Sequence, residues 1–421
     1  MQERPRILFI TKEWPLPPEN GARQRTLNIS RLLSRIGEVS FVIIQRHSVN
    51  RETVHLNMRE FEVRMALNAH PPETTGLFGR LRWRIRHEFD PRFIATDAYA
   101  ISGADRAELL NEIQKYDLVW IQDVKTADSC RIGKWPRSVL DTVDVPSNWY
   151  CSIAKTGDNL LRRLLYYRMS WIWKRRQRVF AERFDILTVC SDNERGHLGR
   201  HPRVHIIPNG FNAQATRRWP PSETPRIGFI GTCRYEPNRE GVEWLASRVW
   251  PLIKRELPNA QLRLVGAGTE DYWAETGRGV TGLGWLEDPS EEIASWSAMV
   301  IPVRFGAGTR VKMAEGFARK CPIVATSTGA YGYGVRDGEE FLLAENPQDF
   351  ASACIRLARD PQLGRELAER AHHRFLREWT WDAQEGKVRA VVRECLAASS
   401  IPAEVNPSPR AAGGPIHSLN V

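Results

Sequence analysis

The stretch Ser297–Thr326, SAMVIPVRFGAGTRVKMAEGFARKCPIVAT, decides the fold of the region around it. An apolar run leads into a turn of small residues, a helical pattern starts at once, and a second apolar run follows the Cys321-Pro322 pair. Two strands joined by a helix are typical of a parallel sheet, because parallel strands need a long crossover connection. The stretch therefore predicts a strand, helix and strand of an α/β domain.

The same alternation extends in both directions along the chain. Apolar runs such as RILFIT, VSFVII, YDLVWIQD, RSVLDTVD, FDILTVCS and RVHIIPNG precede the break WPPSETP, and RIGFIGTC, AQLRLVGAG and GVTGLGWL follow it. This pattern predicts an α/β fold with two Rossmann-like domains in tandem, facing each other across a cleft. The predicted divisions are a first domain over residues 1–212, a linker over 213–223, a second domain over 224–382, a helix over 383–398 and a disordered tail over 399–421.

The composition limits the class of protein. The chain has 421 residues, 42% of them apolar, and a formal net charge of +10 from 60 basic and 50 acidic residues. This balance suits a phosphorylated ligand, an anionic membrane surface or a polyanion. The seven cysteines lie far apart without CxxC spacing, and no window reaches the roughly 18 apolar residues of a membrane-spanning helix. We therefore expect a cytoplasmic protein that is neither secreted nor membrane-spanning.

The glycines argue against a dinucleotide-binding enzyme. The nearest approach to GxGxxG is LVGAGTED, where Asp271 stands at the third glycine. A carboxylate there would lie against the pyrophosphate. Gly266 and Gly268 are interpreted instead as a tight turn after a strand. No nucleic-acid recognition motif accompanies the positive charge, so no nucleic-acid partner is expected.

The turn in the opening stretch has the composition of a phosphate site. Its small residues let backbone N–H groups face a ligand, and helix amino termini attract phosphate. Arg310 and Lys312 add mobile cations, and Glu315 offers two acceptor oxygens to a vicinal diol such as a ribose. An ordinary strand-to-helix turn with a solvated charged face is the alternative interpretation. The candidate N–H donors of the turn are Gly306, Ala307, Gly308 and Thr309.

Motifs along most of the chain resemble glycosyltransferase family 4. They are ILFITKEWPLPPENGARQRTLN near the amino terminus, IIPNGFN at the junction, GFIGTCRYEPNREGVEWL at the start of the second domain, and the segment from GLGWLEDPSEE through the opening stretch; together they cover about residues 5 to 385. The resemblance implies the GT-B fold, with an acceptor-binding first domain and a second domain that binds a nucleotide sugar. It also implies that the helix over 383–398 crosses back to the first domain.

Family members bind the donor through two glutamates seven residues apart. Glu315 matches the second, which holds the ribose, whereas Ala307 stands at the position of the first. The pattern is similar to a branch with an FGAGTRxK turn, in which backbone amides and cations replace that carboxylate. Arg234 and Arg239, on either side of Pro237, match the cations that clamp the diphosphate. Further donor contacts implied by the resemblance are Gly284, Trp285 and Leu286 at the base, with a core role as the alternative for Trp285, and Gly21 in the glycine loop.

The acceptor side departs from the family pattern. Relatives often carry a histidine at a strand end near the sugar carbon under attack, whereas VLDTVDVPSNWY offers either Asp144 or Asp141. Arg23 and Arg25 lie beside the glycine loop, facing the cleft or water. The resemblance implies a retaining hexosyl transfer without metal or cofactor, catalysed by Arg234, Arg239, Lys312, Glu315 and Asp144. The missing glutamate and histidine keep a non-catalytic sugar-nucleotide-binding scaffold protein as the alternative.

Two basic stretches bear on the acceptor. Leu160–Arg183 has eight basic residues against one glutamate, interleaved with aromatics, which suits an anionic membrane surface. Phe78–Phe89, FGRLRWRIRHEF, predicts an extended segment with one cationic and one apolar face. The alternative is that both stretches pack on the sheet. Together with the resemblance, the membrane interpretation implies a lipid-linked saccharide of surface or exopolysaccharide assembly at the inner membrane face, contacted by Arg162, Arg163, Trp171, Trp173, Lys174, Arg175, Arg176 and Arg178.

Overall fold

The computed structural model describes residues 4–18, 20–46, 53–54, 58–71, 76–92, 94, 99–156, 159–198, 201–212, 221–270 and 279–399. Most of the predicted linker (213–220), all but the first residue of the predicted tail (400–421), and Asp271 lie outside the described residues. Two parallel sheets form the framework of the described chain.

The first sheet contains seven strands in the order β3-β2-β1-β4-β5-β6-β7, and each neighbouring pair is parallel. Parallel sheets are covered on both faces, which explains the continuous apolar runs. In β1, Ile7 and Phe9 pack into one core cluster, and Leu8 and Ile10 pack into another. The strands are β1 Arg6–Thr11, β2 Glu38–Gln45, β3 Glu62–Asn68, β4 Leu118–Gln122, β5 Ser138–Thr142, β6 Ile186–Val189 and β7 Val204–Ile206.

Helices connect these strands and begin at polar caps. The Asn20 side chain accepts from the backbone N–H of Arg23, and Ser102 accepts in the same way from Asp105, which satisfies N–H groups that a helix start leaves unpaired. The helices of this half are α1 Gly21–Ser34, α2 Gly76–Phe89, α3 Gly103–Ile113, α4 Val124–Ser129, α5 Pro146–Thr156, α6 Leu160–Gln177, α7 Phe180–Arg183 and α8 Asp192–Arg195.

The second sheet has the order β10-β9-β8-β11-β12-β13 and is also parallel throughout. Its strands are β8 Arg226–Ile230, β9 Gln261–Val265, β10 Val280–Gly282, β11 Ala298–Ile301, β12 Ile323–Ala325 and β13 Leu342–Leu343. Its helices are α9 Glu236–Trp244, a π-helical turn Leu245–Val249, α10 Trp250–Glu256, α11 Ser290–Ala294, α12 Val311–Ala318, α13 Pro347–Arg359, α14 Pro361–Glu378 and α15 Trp381–Ser399. The unit predicted from the opening stretch is β11, α12 and β12.

Helix α15 lies against the first sheet. Val388 joins the core cluster of β1, and Arg35 of α1 donates to Glu385 at 2.7 Å. The chain therefore passes between the domains twice. The two crossings are adjacent, because the N–H of Phe211 donates to the carbonyl of Trp379 at 2.9 Å.

The prediction of an extended segment at Phe78–Phe89 is wrong, because these residues belong to α2. The alternation of arginine with apolar residues does not produce the buried apolar face that a strand would have, because Leu81 and Ile85 are both exposed on this helix. The helix end is held by α6: the Arg175 guanidinium donates to the carbonyls of Glu88 and Phe89, at 3.2 and 2.6 Å. Carbonyl groups at a helix end lack partners within the helix, so these contacts favour the helical form.

Candidate functional site

The carboxyl ends of strands from both sheets meet at the boundary between the domains. The second sheet contributes the loop after β8 and the turn before α12, and the first contributes the loop after β5 and the amino terminus of α1. Gly21, which begins α1, is so close to Val311 of α12 that an added Cβ would lie 3.1 Å from its Cγ2 atom. Doubly wound sheets bind ligands at such strand ends, which makes this boundary the candidate site.

Lys312 lies in the first turn of α12, over the end of β8. Its Nζ donates to Oδ1 of Asn238 at 2.7 Å and lies 4.3 Å from the centre of the Phe229 ring. An added Cβ on Gly231 would be 2.9 Å from Nζ, so the glycine leaves room for the amine. Burial and the nearby Arg310 guanidinium lower the pKa of Lys312 to about 7. An anionic ligand at this point would stabilise the charged form.

Asn238 is a site residue that sequence reasoning missed. Its side chain is buried, and its Nδ2 donates to the carbonyl of Thr232 at 2.9 Å while its Oδ1 accepts from Lys312. The sequence signal for Asn238 is its position next to Pro237, in the motif that also contains Arg239. Neighbouring residues on a helix point about 100° apart, so Asn238 faces inward and Arg239 does not.

Both predicted clamp arginines are exposed. Arg239 lies on the outer side of α9, with its Nε 3.9 Å from a carboxylate oxygen of Glu243. Arg234 follows the end of β8, where its backbone N–H donates to Oγ1 of Thr232 at 3.2 Å. The structure therefore brings the Lys312 side chain to the end of β8 and leaves the two arginine side chains at its rim.

The N–H groups of the small-residue turn are engaged by the first domain. Gly306 donates to Oγ of Ser152 at 2.8 Å, and Gly308 donates to Oε1 of Glu194 at 3.2 Å. The prediction that these two amides face a ligand is therefore wrong for this arrangement of the domains. The reason is that buried backbone N–H groups require partners, and the opposite domain supplies them.

Gly308 packs directly against Asp144 at the end of β5. Its φ is 70°, and an added Cβ would lie only 2.1 Å from Oδ1 of Asp144, so other side chains do not fit. Burial raises the pKa of Asp144 to about 7, against the opposing effect of Arg310. Within the described ranges, no hydrogen bond to this half-buried carboxylate is found. Asp144 therefore retains acceptor capacity at the boundary.

Glu194 is a second boundary carboxylate, and the sequence did not reveal it. It is 1% exposed; its Oε2 accepts from the N–H of Val145 at 3.0 Å, and its Oε1 accepts from Asn148 at 2.7 Å in addition to Gly308. A local signal was the Ser191 hydroxyl three residues earlier, which caps α8 and accepts from the Glu194 N–H. That pattern shows a helix start but not the contact with the other domain.

Arg310 folds back under the turn. Its Nη1 donates to the carbonyl of Ala307 at 2.8 Å, and the side chain is buried. It is therefore not the mobile cation that the sequence predicted; its charge acts on the boundary carboxylate of Asp144. Thr309, also predicted to face a ligand, accepts from Nδ2 of Asn209 at 2.9 Å.

Arg25 and Asp141 form a fully buried ion pair. The guanidinium makes two bonds to the carboxylate, of 2.9 and 2.6 Å, and a third to the carbonyl of Ile207 at 2.9 Å. Arg25 is therefore not an acceptor or membrane contact, because its charge is satisfied inside the first domain. Of the two strand-end aspartates, Asp144 reaches the domain boundary and Asp141 does not. Arg23, two residues before Arg25 on α1, is half-buried.

Glu315 lies on α12 and is held by Arg319. Its Oε1 accepts from Nε of Arg319 at 3.1 Å, and Arg319 also donates to Oγ of Ser290 at 2.8 Å. Burial raises the pKa of Glu315, against the opposing effect of Arg319. In the part of the chain that the structure covers, no hydrogen bond to Oε2 is found. One carboxylate oxygen is thus left for a ligand hydroxyl.

In the predicted base-binding loop, some backbone groups are already hydrogen-bonded within the protein. Gly284 donates its N–H to Oγ1 of Thr269 at 3.0 Å, and its carbonyl accepts from the N–H of Gly266 at 2.7 Å. The Gly284 amide is therefore used within the protein. Trp285 is 58% exposed, which excludes the core role considered for it, whereas Leu286 packs against the core.

Helices α2 and α6 together form a basic apolar surface. Arg168 of α6 pairs with Glu88 of α2, with one bond of 2.9 Å. Two residues predicted to contact a membrane are excluded from this surface by burial: Trp173 is 2% exposed, and Arg176 is 5% exposed and donates to the carbonyl of His87. Exposed large hydrophobic residues of the surface are Phe78, Leu81, Trp83, Ile85, Phe89, Leu160, Leu161, Leu164, Leu165, Tyr167 and Trp171.

The other predicted basic contacts divide into two groups. Arg162, Lys174 and Arg178 are exposed. Arg163 donates to the carbonyl of Ala154 at 3.1 Å, and Arg175 holds the end of α2. No helix in the described ranges is long and apolar enough to cross a membrane. In the same residues, no group of three or more His, Cys, Asp or Glu side chains suits a metal ion.

Known proteins resemble this chain in sequence and in fold. Residues 224–360 match the family model described as Glycosyl transferases group 1. The chain is 19% identical over 384 residues to an uncharacterized 44.6 kDa protein in the cps region of Klebsiella pneumoniae, which covers 86% of this chain and 93% of that protein. The structure is similar to a sucrose-phosphate synthase from Thermosynechococcus elongatus, with a TM-score of 0.66 and 17% identity over 94% of this chain and 100% of that one.

A second similar structure is Anabaena HepE in complex with UDP-glucose. Its TM-score is 0.61, at 15% identity over 93% of this chain and 100% of that one. With the two parallel sheets, these similarities confirm the predicted fold class, two Rossmann-like domains in the GT-B arrangement.

Proposed function

We propose that this protein is a retaining glycosyltransferase that moves a sugar from a nucleotide-diphosphate sugar to an acceptor hydroxyl. The observation that carries the proposal is the Lys312 amine, held beside Gly231 at the end of β8 and in the first turn of α12. A helix amino terminus and a lysine ammonium both bind phosphate. The match of residues 224–360 to the Glycosyl transferases group 1 model, and the UDP-glucose bound to HepE, support a nucleotide sugar as ligand.

In this proposal the donor spans the carboxyl ends of the second sheet. Glu315 accepts from the ribose hydroxyls through its second oxygen, and Trp285 and Leu286 border the base. Lys312 binds the diphosphate, with Arg234 and Arg239 as cations at the rim. Negative charge grows on the diphosphate as the glycosyl bond breaks, so fixed cations stabilise the transition state more than the bound donor.

The first domain completes the site with Asp144. Its carboxylate faces the turn, and a pKa of about 7 lets it exchange a proton near neutral pH. We propose that this carboxylate accepts a hydrogen bond from a hydroxyl group next to the reacting carbon, on either the sugar or the acceptor. Because Ser152 and Glu194 engage the amides of Gly306 and Gly308, those amides are not assigned to the diphosphate.

We further propose a lipid-linked saccharide as acceptor, reached at the cytoplasmic face of an anionic membrane. The support is the basic apolar surface of α2 and α6, where exposed Leu and Phe side chains accompany Arg162, Lys174 and Arg178. Amphipathic, basic segments of this kind bind anionic bilayers.

A panel of sugar nucleotides tests the enzymatic function. Slow release of free nucleoside diphosphate from one of them is expected, and Lys312→Met should abolish it. Lys320→Met is the control. Lys320 lies away from the carboxyl ends of the strands, and its Nζ is 2.8 Å from Oε2 of Glu369. Tight binding of a donor without turnover on any acceptor would instead favour a sugar-nucleotide-binding scaffold protein.

A further inference from the structure

Asn238 connects two parts of the candidate site. Its Nδ2 donates to the carbonyl of Thr232 in the loop after β8, at 2.9 Å, and its Oδ1 accepts from Nζ of Lys312 at 2.7 Å. The amide nitrogen is thus committed to the loop. A side-chain amide has its donor and acceptor at opposite ends, so the oxygen is directed to the amine.

The position of the Lys312 amine depends on this acceptor. Among the residues that the structure describes, Asn238 is the one hydrogen-bond partner of Nζ, and the Phe229 ring lies 4.3 Å away. A lysine side chain has four flexible carbons and is otherwise free to take several conformations. A charged amine has three N–H groups, so two remain for a ligand after Asn238 accepts one.

The charges around the amine are few. Arg310 faces it from the turn before α12, Glu315 faces it from α12, and the Cys233 thiol faces it from the loop after β8. Asn238 adds no charge from α9, so it orients the amine without neutralising it. An aspartate at the same position would form an ion pair with the amine and compete with an anionic ligand.

We propose that Asn238 is a positioning residue, which fixes the Lys312 amine where it contacts the diphosphate of the donor and keeps it uncompensated until the donor binds. The inference rests on the proposed function. It predicts that donor binding takes up a proton above neutral pH. The free amine has a pKa of about 7, and the bound diphosphate raises this pKa. As the pH rises from the pKa of Lys312 in the free protein to its higher pKa in the donor complex, the affinity for the donor therefore falls. The fall is up to about tenfold per pH unit.

Asn238→Asp is the test, with Asn159→Asp as the matched control. Asn159 is the exposed cap of α6, where its Oδ1 accepts from the N–H groups of Leu161 and Arg162 and where aspartate is also a good cap. Asn238→Ala removes the acceptor without adding charge and serves if the aspartate variant does not fold. Titration of the Lys312 side-chain NMR signal needs no donor, and UDP binding by calorimetry from about pH 7 to about pH 9 reports the linkage.

For Asn238→Asp we expect a raised titration midpoint of Lys312, weaker UDP binding, and a UDP affinity that no longer depends on pH. Asn238→Ala should also weaken UDP binding, but the affinity should still depend on pH. An unchanged midpoint, or an unchanged pH dependence of UDP affinity, in Asn238→Asp overturns the role of Asn238. Wild-type protein that binds no nucleoside diphosphate at any pH removes the proposed function instead. The two failures are therefore distinguishable.

Discussion

Replacing Gly308 by alanine tests how closely the two domains are sealed at the turn. The new methyl group would lie 2.1 Å from Oδ1 of Asp144. The positive φ costs an L-residue roughly 1–2 kcal/mol. If the turn withdraws from Asp144, the amide also leaves buried Glu194, a hydrogen bond to a charged group that contributes about 1.5–3 kcal/mol. We expect Gly308→Ala to lower the free energy of unfolding by about 2.5–5 kcal/mol.

Gly338→Ala is the matched control. Gly338 has a φ of 73°, but nothing lies within 4 Å of an added Cβ, so only the backbone cost of roughly 1–2 kcal/mol applies. Urea unfolding followed by tryptophan fluorescence measures both variants. Equal losses would refute the reasoning, because they would mean that Asp144 rotates away at little cost. Adding Asp144→Ala to Gly308→Ala should recover the part of the loss that comes from the clash.

Four further outcomes follow from the structure. Glu315→Gln should weaken nucleotide-sugar binding by about 1.5–3 kcal/mol, because a charged acceptor is lost; unchanged affinity in calorimetry contradicts the ribose assignment. Arg25→Met should lower the free energy of unfolding by about 3–5 kcal/mol, because Asp141 stays buried without its partner, and adding Asp141→Leu should recover much of this loss. Truncation before Trp379 should lower the melting temperature of the amino-terminal half, since α15 completes its core; a full melting temperature speaks against that packing. The protein should sediment with anionic vesicles at low salt but not at high salt. The triple variant Arg162→Glu, Lys174→Glu and Arg178→Glu should reduce this binding. Equal, negligible binding to anionic and neutral vesicles contradicts a membrane acceptor.

The framework was predictable because parallel strands buried on both faces leave continuous apolar runs in the sequence. The strand β3, EVRMALN, was not recognised, since its apolar residues alternate with polar ones at the edge of the sheet. Helix α2 was misread for a related reason: the alternation of arginine with apolar residues imitates a strand. Its carboxyl-terminal end is held by Arg175 of α6, which lies far away in the sequence.

In the candidate site, the sequence indicates only those residues whose role can be inferred from their own helix or turn. Lys312 and Glu315 follow from the turn that begins α12. Their partners do not, because the choice of Asn238 over Arg239 depends on which side of α9 faces inward. Glu194 reaches the turn only because the two domains meet in one particular orientation, and no local pattern in the sequence encodes that orientation.

The paired chain crossings form a single connection between the two domains. Phe211 and Trp379 are hydrogen-bonded to each other, and an added Cβ on Gly210 would be 2.8 Å from the Trp381 ring, so the two connections form one packed joint. Such a joint allows the domains to rotate but resists sliding of one past the other. A rotation about this joint would therefore keep the turn in the same register, so that Gly308 would meet Asp144 and Glu194 whenever the domains come together.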